Sequence, residues 1–353
     1  MSPSKTKVAI MSFAHHHAGF YLPTLLADET IEVLASDELW PDAPGEALRG
    51  PAFAERHGVP YVETYDELLA WGPDAVIVCS ENTRHHRDVL RAAAAGAHVM
   101  CEKPLATSVE DANDMVRACR DAGVNLMTAY PIRFTPMFRA LQAAVLDGEI
   151  GEIVGATGTN NGALPGGWFI VPELSGGGAL LDLTVHIADM LDALLSPARA
   201  TKVYAAANDI LYRDVPALSV ETGGLVTVSY ASGVVATIDC SWSHPQESPT
   251  WGGLTLEVIG TTGSIEIDPF GLHVGGIENS AGKAFWLDYG PSAAVPMLRE
   301  FLASIAERRP PVPDGSDGIR SVEIAVAASR SARTGQAVPL GAGDESAQLV
   351  NAR

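Results

Sequence analysis

Between Lys7 and Ala129 short apolar runs alternate with longer segments whose apolar residues return every three or four positions. Lys7–Met11, Ile31–Ala35, Ala75–Cys79, His98–Cys101 and Val124–Ala129 read as strands, with a further short one at Tyr61-Val62. Runs without polar alternation suit strands covered on both faces. Helices are predicted near Gly19–Ala27, Pro51–His57, Tyr65–Trp71 and His86–Ala95, and from a cap at Ser108 to about Ala122. Glu110 and Asp111 would sit in the positive first turn of that last helix. Trp40–Gly50, rich in Pro, Asp and Gly, reads as a loop. This alternation predicts a doubly wound parallel sheet.

Past Tyr130 the period changes. Two helices, Thr135–Asp147 and Ala179–Leu195, flank a Gly-rich loop. Period-two alternation follows in Thr201–Asn208, Glu221–Tyr230, Val234–Ser241, Thr255–Ile259 and Ser264–Asp268, separated by turn signals. These predict an α+β unit, a large mostly antiparallel sheet with helices on one face. Val295–Glu307 and Gly318–Thr334 read as late helices. The expected domains are 5–128 and 129–341, with 342–353 as a tail.

The 353 residues exceed one ordinary core, in keeping with two domains. With 43 acidic against 23 basic residues the net charge is -20, which repels nucleic acid and anionic membranes. The four cysteines, Cys79, Cys101, Cys119 and Cys240, lack metal-type spacing and read as reduced. No apolar run is long enough to span a bilayer and no signal peptide is evident, so a soluble cytoplasmic protein is expected.

Two stretches carry chemistry. Glu102-Lys103-Pro104 follows a predicted parallel strand, where open α/β sheets bind ligands. Glu102 can hold the lysine charged and oriented; a plain surface lysine is the bland reading. Gly176-Gly177-Gly178 opens a helix bearing Asp182, His186 and Asp189 on one face. A carboxylate beside an imidazole fixes its tautomer and raises its basicity, suiting a general base. A buried, satisfied histidine is the rival. Metal ligation by this one helix is disfavoured because no second cluster has ligand spacing, so no metal is expected.

These pieces, with Asn82-Thr83-Arg84-His85 and the ending Asp317-Gly318-Ile319-Arg320 … Ala328-Ser329-Arg330, resemble the Gfo/Idh/MocA family (glucose–fructose oxidoreductase, inositol dehydrogenase, rhizopine catabolism) across nearly the whole chain. The resemblance implies an N-terminal Rossmann domain and a C-terminal domain whose open sheet builds a homodimer or homotetramer. It implies NAD(P)-linked hydride transfer on a secondary hydroxyl of a sugar, polyol or inositol-like substrate. Lys103 would contact the nicotinamide ribose and the reacting hydroxyl, after a cis Lys103–Pro104 bond. His186 would be the acid/base, and Asp182 would orient it or bind a substrate hydroxyl. Tyr130, Arg133 and Trp168 would line the substrate pocket, and Ser80, Asn82, His85 and Glu102 would adjoin the cofactor.

The first turn departs from the dinucleotide pattern. Where Gly-x-Gly-x-x-Gly is usual, the chain has Ser12-Phe13-Ala14-His15-His16-His17. Ser12 or a histidine such as His15 is expected to donate to the pyrophosphate in place of the glycine backbone. Asp37 is expected to accept from the adenosine ribose, with Glu38 repelling a 2′-phosphate, which favours NAD over NADP. The turn is also compatible with a non-catalytic ligand-binding regulator, and the same Lys and His with a redox-assisted lyase or glycosidase. The Gly162–Phe169 loop reads as a pocket wall, a lid or a plain connection.

Overall fold

The computed structural model describes residues 5–38, 48–215, 218–248, 250, 252–278, 280, 282–288 and 292–341. Most of the loop expected at Trp40–Gly50, and the tail 342–353, lie outside these residues.

The first unit carries β1 (Thr6–Met11), β2 (Ile31–Ser36), β3 (Ala75–Val78), β4 (His98–Cys101) and β5 (Leu126–Thr128). They form a wholly parallel sheet in the order β2-β1-β3-β4-β5. Its helices are α1 (Ala18–Leu26), α2 (Gly50–His57), α3 (Tyr65–Ala70), α4 (His85–Ala94) and α5 (Val109–Ala122). Ser108 caps α5 by accepting from the Asp111 amide at 3.1 Å. Tyr61 makes only an isolated bridge to Ala35 rather than the expected strand. Both faces of the sheet are buried, one with Tyr21, Leu22 and Phe53, the other with Leu68, Val89 and Met115. Two-sided burial is why these strands are apolar without alternation.

The second unit holds α6 (Pro136–Leu146), β6 (Ile153–Gly162), the one-turn α7 (Pro172–Ser175), α8 (Ala179–Leu195), β7 (Ala200–Asn208), β8 (Gly223–Tyr230), β9 (Val235–Ser241), β10 (Gly252–Gly260) and β11 (Ser264–Ile267). A hairpin of β12 (His273–Glu278) and β13 (Lys283–Asp288), then α9 (Ala294–Ala306), α10 (Gly315–Thr334) and β14 (Val338–Pro339) complete it. Seven strands run β11-β10-β6-β9-β8-β7-β14.

The reading that α6 and α8 flank only a Gly-rich loop is corrected here. Between them lies β6, the ten-residue strand inside the sheet, paired parallel to β9. Its glycines and asparagines hid it, since both are poor strand formers. Gly158 explains the composition: a Cβ there would come within 2.4 Å of Ile187, so α8 packs directly on bare backbone. The β12–β13 hairpin, with Gly275 and Gly276, escaped the pattern for the same reason.

Helices α8 and α10 cover one face of this sheet through Ile187, Leu191 and Ala328 against Val226 and Ile238. On the other face Tyr204, Leu225, Val235 and Ile259 are exposed. Helix α9 leaves its own sheet and buries Met297, Leu298 and Phe301 in the core of the first.

Candidate active site

Lys103 leaves the C-terminal end of β4 through a cis Lys103–Pro104 peptide, as expected. Its ammonium does not pair with Glu102. It donates to Asp182 Oδ1 at 2.7 Å, a buried ion pair joining the two units. Asp182 Oδ2 accepts from Trp242 Nε1 at 3.2 Å. Burial alone would raise the Asp182 pKa, but Lys103 beside it holds the carboxyl below its usual range.

The glycines before α8 are forced by close approach. Gly176 has φ 76°, and a Cβ on Gly178 would stand 2.1 Å from the Glu221 carbonyl oxygen. Glu221 reaches the helix start with its carboxylate, accepting from the Gly178 and Leu180 amides at 3.0 and 3.2 Å. It thus satisfies two orphan donors at the positive end of the helix.

His186 follows one turn after Asp182, yet the two make no hydrogen bond, and the Asp182 oxygens accept instead from Lys103 and Trp242. The expectation that Asp182 fixes the tautomer of His186 thus has no hydrogen bond to carry it, and the rise in basicity that the Asp182 charge does give is outweighed. Burial, and next the Lys103 ammonium, lower the His186 pKa from 6.5 to about 3. Its Nδ1 is buried and has no hydrogen-bond partner among the described residues. Tyr130 meets the ring edge-on at 6.1 Å.

The turn after β1 keeps the course of a nucleotide loop without its glycines. Ser12 takes φ 74°, the left-handed conformation for which glycine is usual. Its hydroxyl donates to Asp37 and accepts from the Ala14 amide, which secures the bend. Phe13 turns into the core and stacks on Phe53 at 4.3 Å. Asp37 accepts from Ser12 Oγ, the Phe13 and Gly50 amides, and Arg49 through Nε and Nη2. This saturated carboxylate is an internal strut, and an adenosine ribose would have to displace one of those donors. Glu38 is likewise engaged, with the Tyr65 amide and Arg91.

Other expected site residues are partly structural. Arg133 forms a buried ion pair with Asp189 at 2.6 Å and lies 3.3 Å from Asp317. Tyr130 is buried with its hydroxyl on Ser321. His85 lies between the carbonyls of Ser80 and Pro104, at 3.1 and 2.9 Å, and so ties the end of β3 to the lysine turn. Trp168 donates to the Ala14 carbonyl at 3.0 Å and stacks on Phe169, so the Gly162–Phe169 loop packs onto the first unit. Sequence reading missed Trp242 and Glu221. Each lies far along the chain from the motif it serves, and a single residue at a strand end carries no spacing signal.

Polar atoms without partners decide whether a dinucleotide suits this crevice. Ser80 Oγ and Asn82 Oδ1, just past β3, are buried without hydrogen-bond partners among the described residues. Such atoms carry a penalty unless a ligand satisfies them. They follow the strand between β1 and β4, beside Lys103, and thus fit a polar ligand at the strand ends.

Comparison with known proteins agrees with this geometry. Residues 44–130 match an oxidoreductase family with an NAD-binding Rossmann fold, and residues 138–266 match the GFO/IDH/MocA C-terminal domain. The turn with the three histidines precedes both matched stretches. The 1,5-anhydro-D-fructose reductase of Ensifer adhaerens is 33% identical over 311 residues, covering 84% of this chain and 89% of the relative. Myo-inositol 2-dehydrogenase of Thermotoga maritima is 26% identical, over 76% of this chain and 80% of its own. Among solved structures, GenD2 from gentamicin A biosynthesis, in complex with NAD, superposes with a TM-score of 0.85 at 26% identity, covering 97% of this chain and 98% of that one. Among the described residues no helix is long and apolar enough to cross a membrane.

Proposed function

Because the chain belongs to the GFO/IDH/MocA family of NAD-binding oxidoreductases, we propose that Lys103, Asp182 and His186 perform its chemistry. The enzyme is an NAD(P)-dependent dehydrogenase acting on CH–OH groups of sugar-, polyol- or inositol-like substrates. The nicotinamide, when bound, supplies the hydride acceptor. Ser80, Asn82 and Lys103 would hold it at the strand ends.

The chain's own residues handle the proton and the charge. Burial keeps the His186 ring neutral, the form that can accept the substrate hydroxyl proton, and its basicity has to rise as the substrate's negative charge develops beside it. Lys103 then faces the developing alkoxide, an electrostatic contribution of several kcal/mol in a dry site. Asp182 keeps the ammonium aimed, and the substrate hydroxyl would take over one of its contacts. The 2.7 Å bond from Lys103 to Asp182, with His186 one turn away, carries this reading.

NAD remains the favoured cofactor on the likeness to an NAD-bound structure, since Asp37 is occupied. The exposed apolar face of the seven-stranded sheet supports pairing with a second copy of the chain. Four buried free cysteines support a reducing, cytoplasmic setting.

A screen of inositols, aldoses, sugar acids and amino sugars with NAD and NADP, read at the NADH absorbance band, tests the assignment. Turnover of at least one cyclic polyol or sugar is expected. Ligand binding across the panel without any reduction would overturn it.

A further inference from the structure

The β1–α1 turn carries His15, His16 and His17, and two of these rings close on Glu102 at the end of β4. His17 Nδ1 lies 3.1 Å from Glu102 Oε1, and His15 Nε2 lies 3.9 Å from Glu102 Oε2. One ligand atom from each of the three lies within 4.8 Å of the others. Donors around a tetrahedral zinc ion, with bonds of about 2.0–2.2 Å, stand roughly 3.3–3.5 Å apart. The 3.9 Å separation, and any approaching the 4.8 Å limit, have to contract by side-chain rotation, while the 3.1 Å one opens slightly.

Glu102 is buried and turned away from Lys103's ammonium, and the Tyr21 hydroxyl donates to its Oε1. His15 is 1% exposed, and its Nε2 has no hydrogen-bond partner among the described residues. Burial pushes the His15 pKa well below its ordinary value. Burial would raise the Glu102 carboxyl, but the His17 and His15 rings hold it well below the usual range. Two imidazole nitrogens and a carboxylate oxygen are the donor set of a two-histidine, one-glutamate centre.

We propose that His15, His17 and Glu102 bind a divalent first-row transition ion of the zinc class, clasping the glycine-poor β1–α1 turn to the end of β4. Two nitrogens and one oxygen select against magnesium and calcium, which require oxygen ligands. Tyr21 would serve as the outer partner orienting the carboxylate. Coordination at His15 Nε2 puts the ring proton on Nδ1, so the 3.3 Å bond from the His17 amide is given up. The Lys103 ammonium and the amino end of α1 oppose a cation here, and Glu102 supplies the single offsetting charge.

The test uses tag-free full-length chain, treated with chelator, desalted and kept free of dinucleotide. It is titrated with Zn²⁺ by calorimetry and with Co²⁺ by visible absorbance. One ion per chain is expected, with the ligand-field bands of a four- or five-coordinate Co²⁺ site. His15→Asn and His17→Gln should each weaken binding by on the order of 100-fold or more, since losing even an outer partner costs 10–100-fold. His16→Ala should bind as wild type does. Should those variants fail to fold, the wild-type chain still decides: Zn²⁺ should protect His17 from carbethoxylation, mapped by mass spectrometry, while His57 and His244 stay reactive. Absence of stoichiometric binding, undiminished binding by the folded His15 and His17 variants, or a His17 that Zn²⁺ leaves reactive overturns the proposal. None of these readouts depends on dehydrogenase activity.

Discussion

Lys103 and Asp182 come from different units, and their bond sets what each can do. On the proposed reading, an ammonium anchored by a carboxylate serves the transition state more than cofactor affinity. Lys103→Ala is expected to lower kcat by about 10²–10³-fold, the loss typical of removing one oxyanion donor, with NAD affinity changed only a few-fold. Stopped-flow turnover and a calorimetric NAD titration check this; equal losses in both would make the lysine a cofactor ligand only. His186 gives a pH signature. Its folded pKa of about 3 lies below the ordinary 6.5, so between those values the unfolded chain binds more protons. The stabilisation is therefore full above pH 6.5 and lost as pH falls toward 3. His15 and His16, also lowered by burial, add to this slope. Urea unfolding from pH 7 to 4.5 should show a steeper loss in wild type than in His186→Gln. Lys103 and His186 were legible in sequence because each sits in a dense local motif. Their relation was not: spacing along α8 suggested an Asp182–His186 pair, while the carboxylate is taken by Lys103 and by Trp242, sixty residues on.

The elements that hold these residues depend on missing side chains. Helix α8 begins where Glu221 and Thr107 crowd the backbone, which leaves no room for a methyl at 176 or 178. Gly178→Ala should lower unfolding free energy by about 1–3 kcal/mol, the usual overpacking range. Gly253→Ala, with nothing within 4 Å of its Cβ, should be close to neutral in the same denaturation assay. The three glycines announced a special helix start in sequence, but their purpose needed the approach of Glu221 and Thr107 to be seen. Strand β6 is the converse case. Gly158 serves packing, and in a one-dimensional pattern a glycine that admits a helix looks the same as one that ends a strand. The strands of the first sheet were legible because burial on both faces leaves long apolar runs.

At the scale of the molecule, the seven-stranded sheet exposes Tyr204, Leu225, Val235 and Ile259 on one face while α8 and α10 pack on the other. Pairing through this face predicts that Leu225→Glu with Val235→Lys shifts the assembly toward monomer in light scattering, without changing the far-UV spectrum. An unchanged mass would move the interface elsewhere. The path of the chain bears on engineering as well. It leaves the first sheet after Thr128 and sends α9 back to it at Ala294, where Met297, Leu298 and Phe301 close the flank beside α1. A chimera grafting this nucleotide-binding half onto a relative's second half must carry its own Ala294–Ala306 along. A foreign helix there would have to match the contours of Leu22 and Leu25, or leave an oily seam between parents.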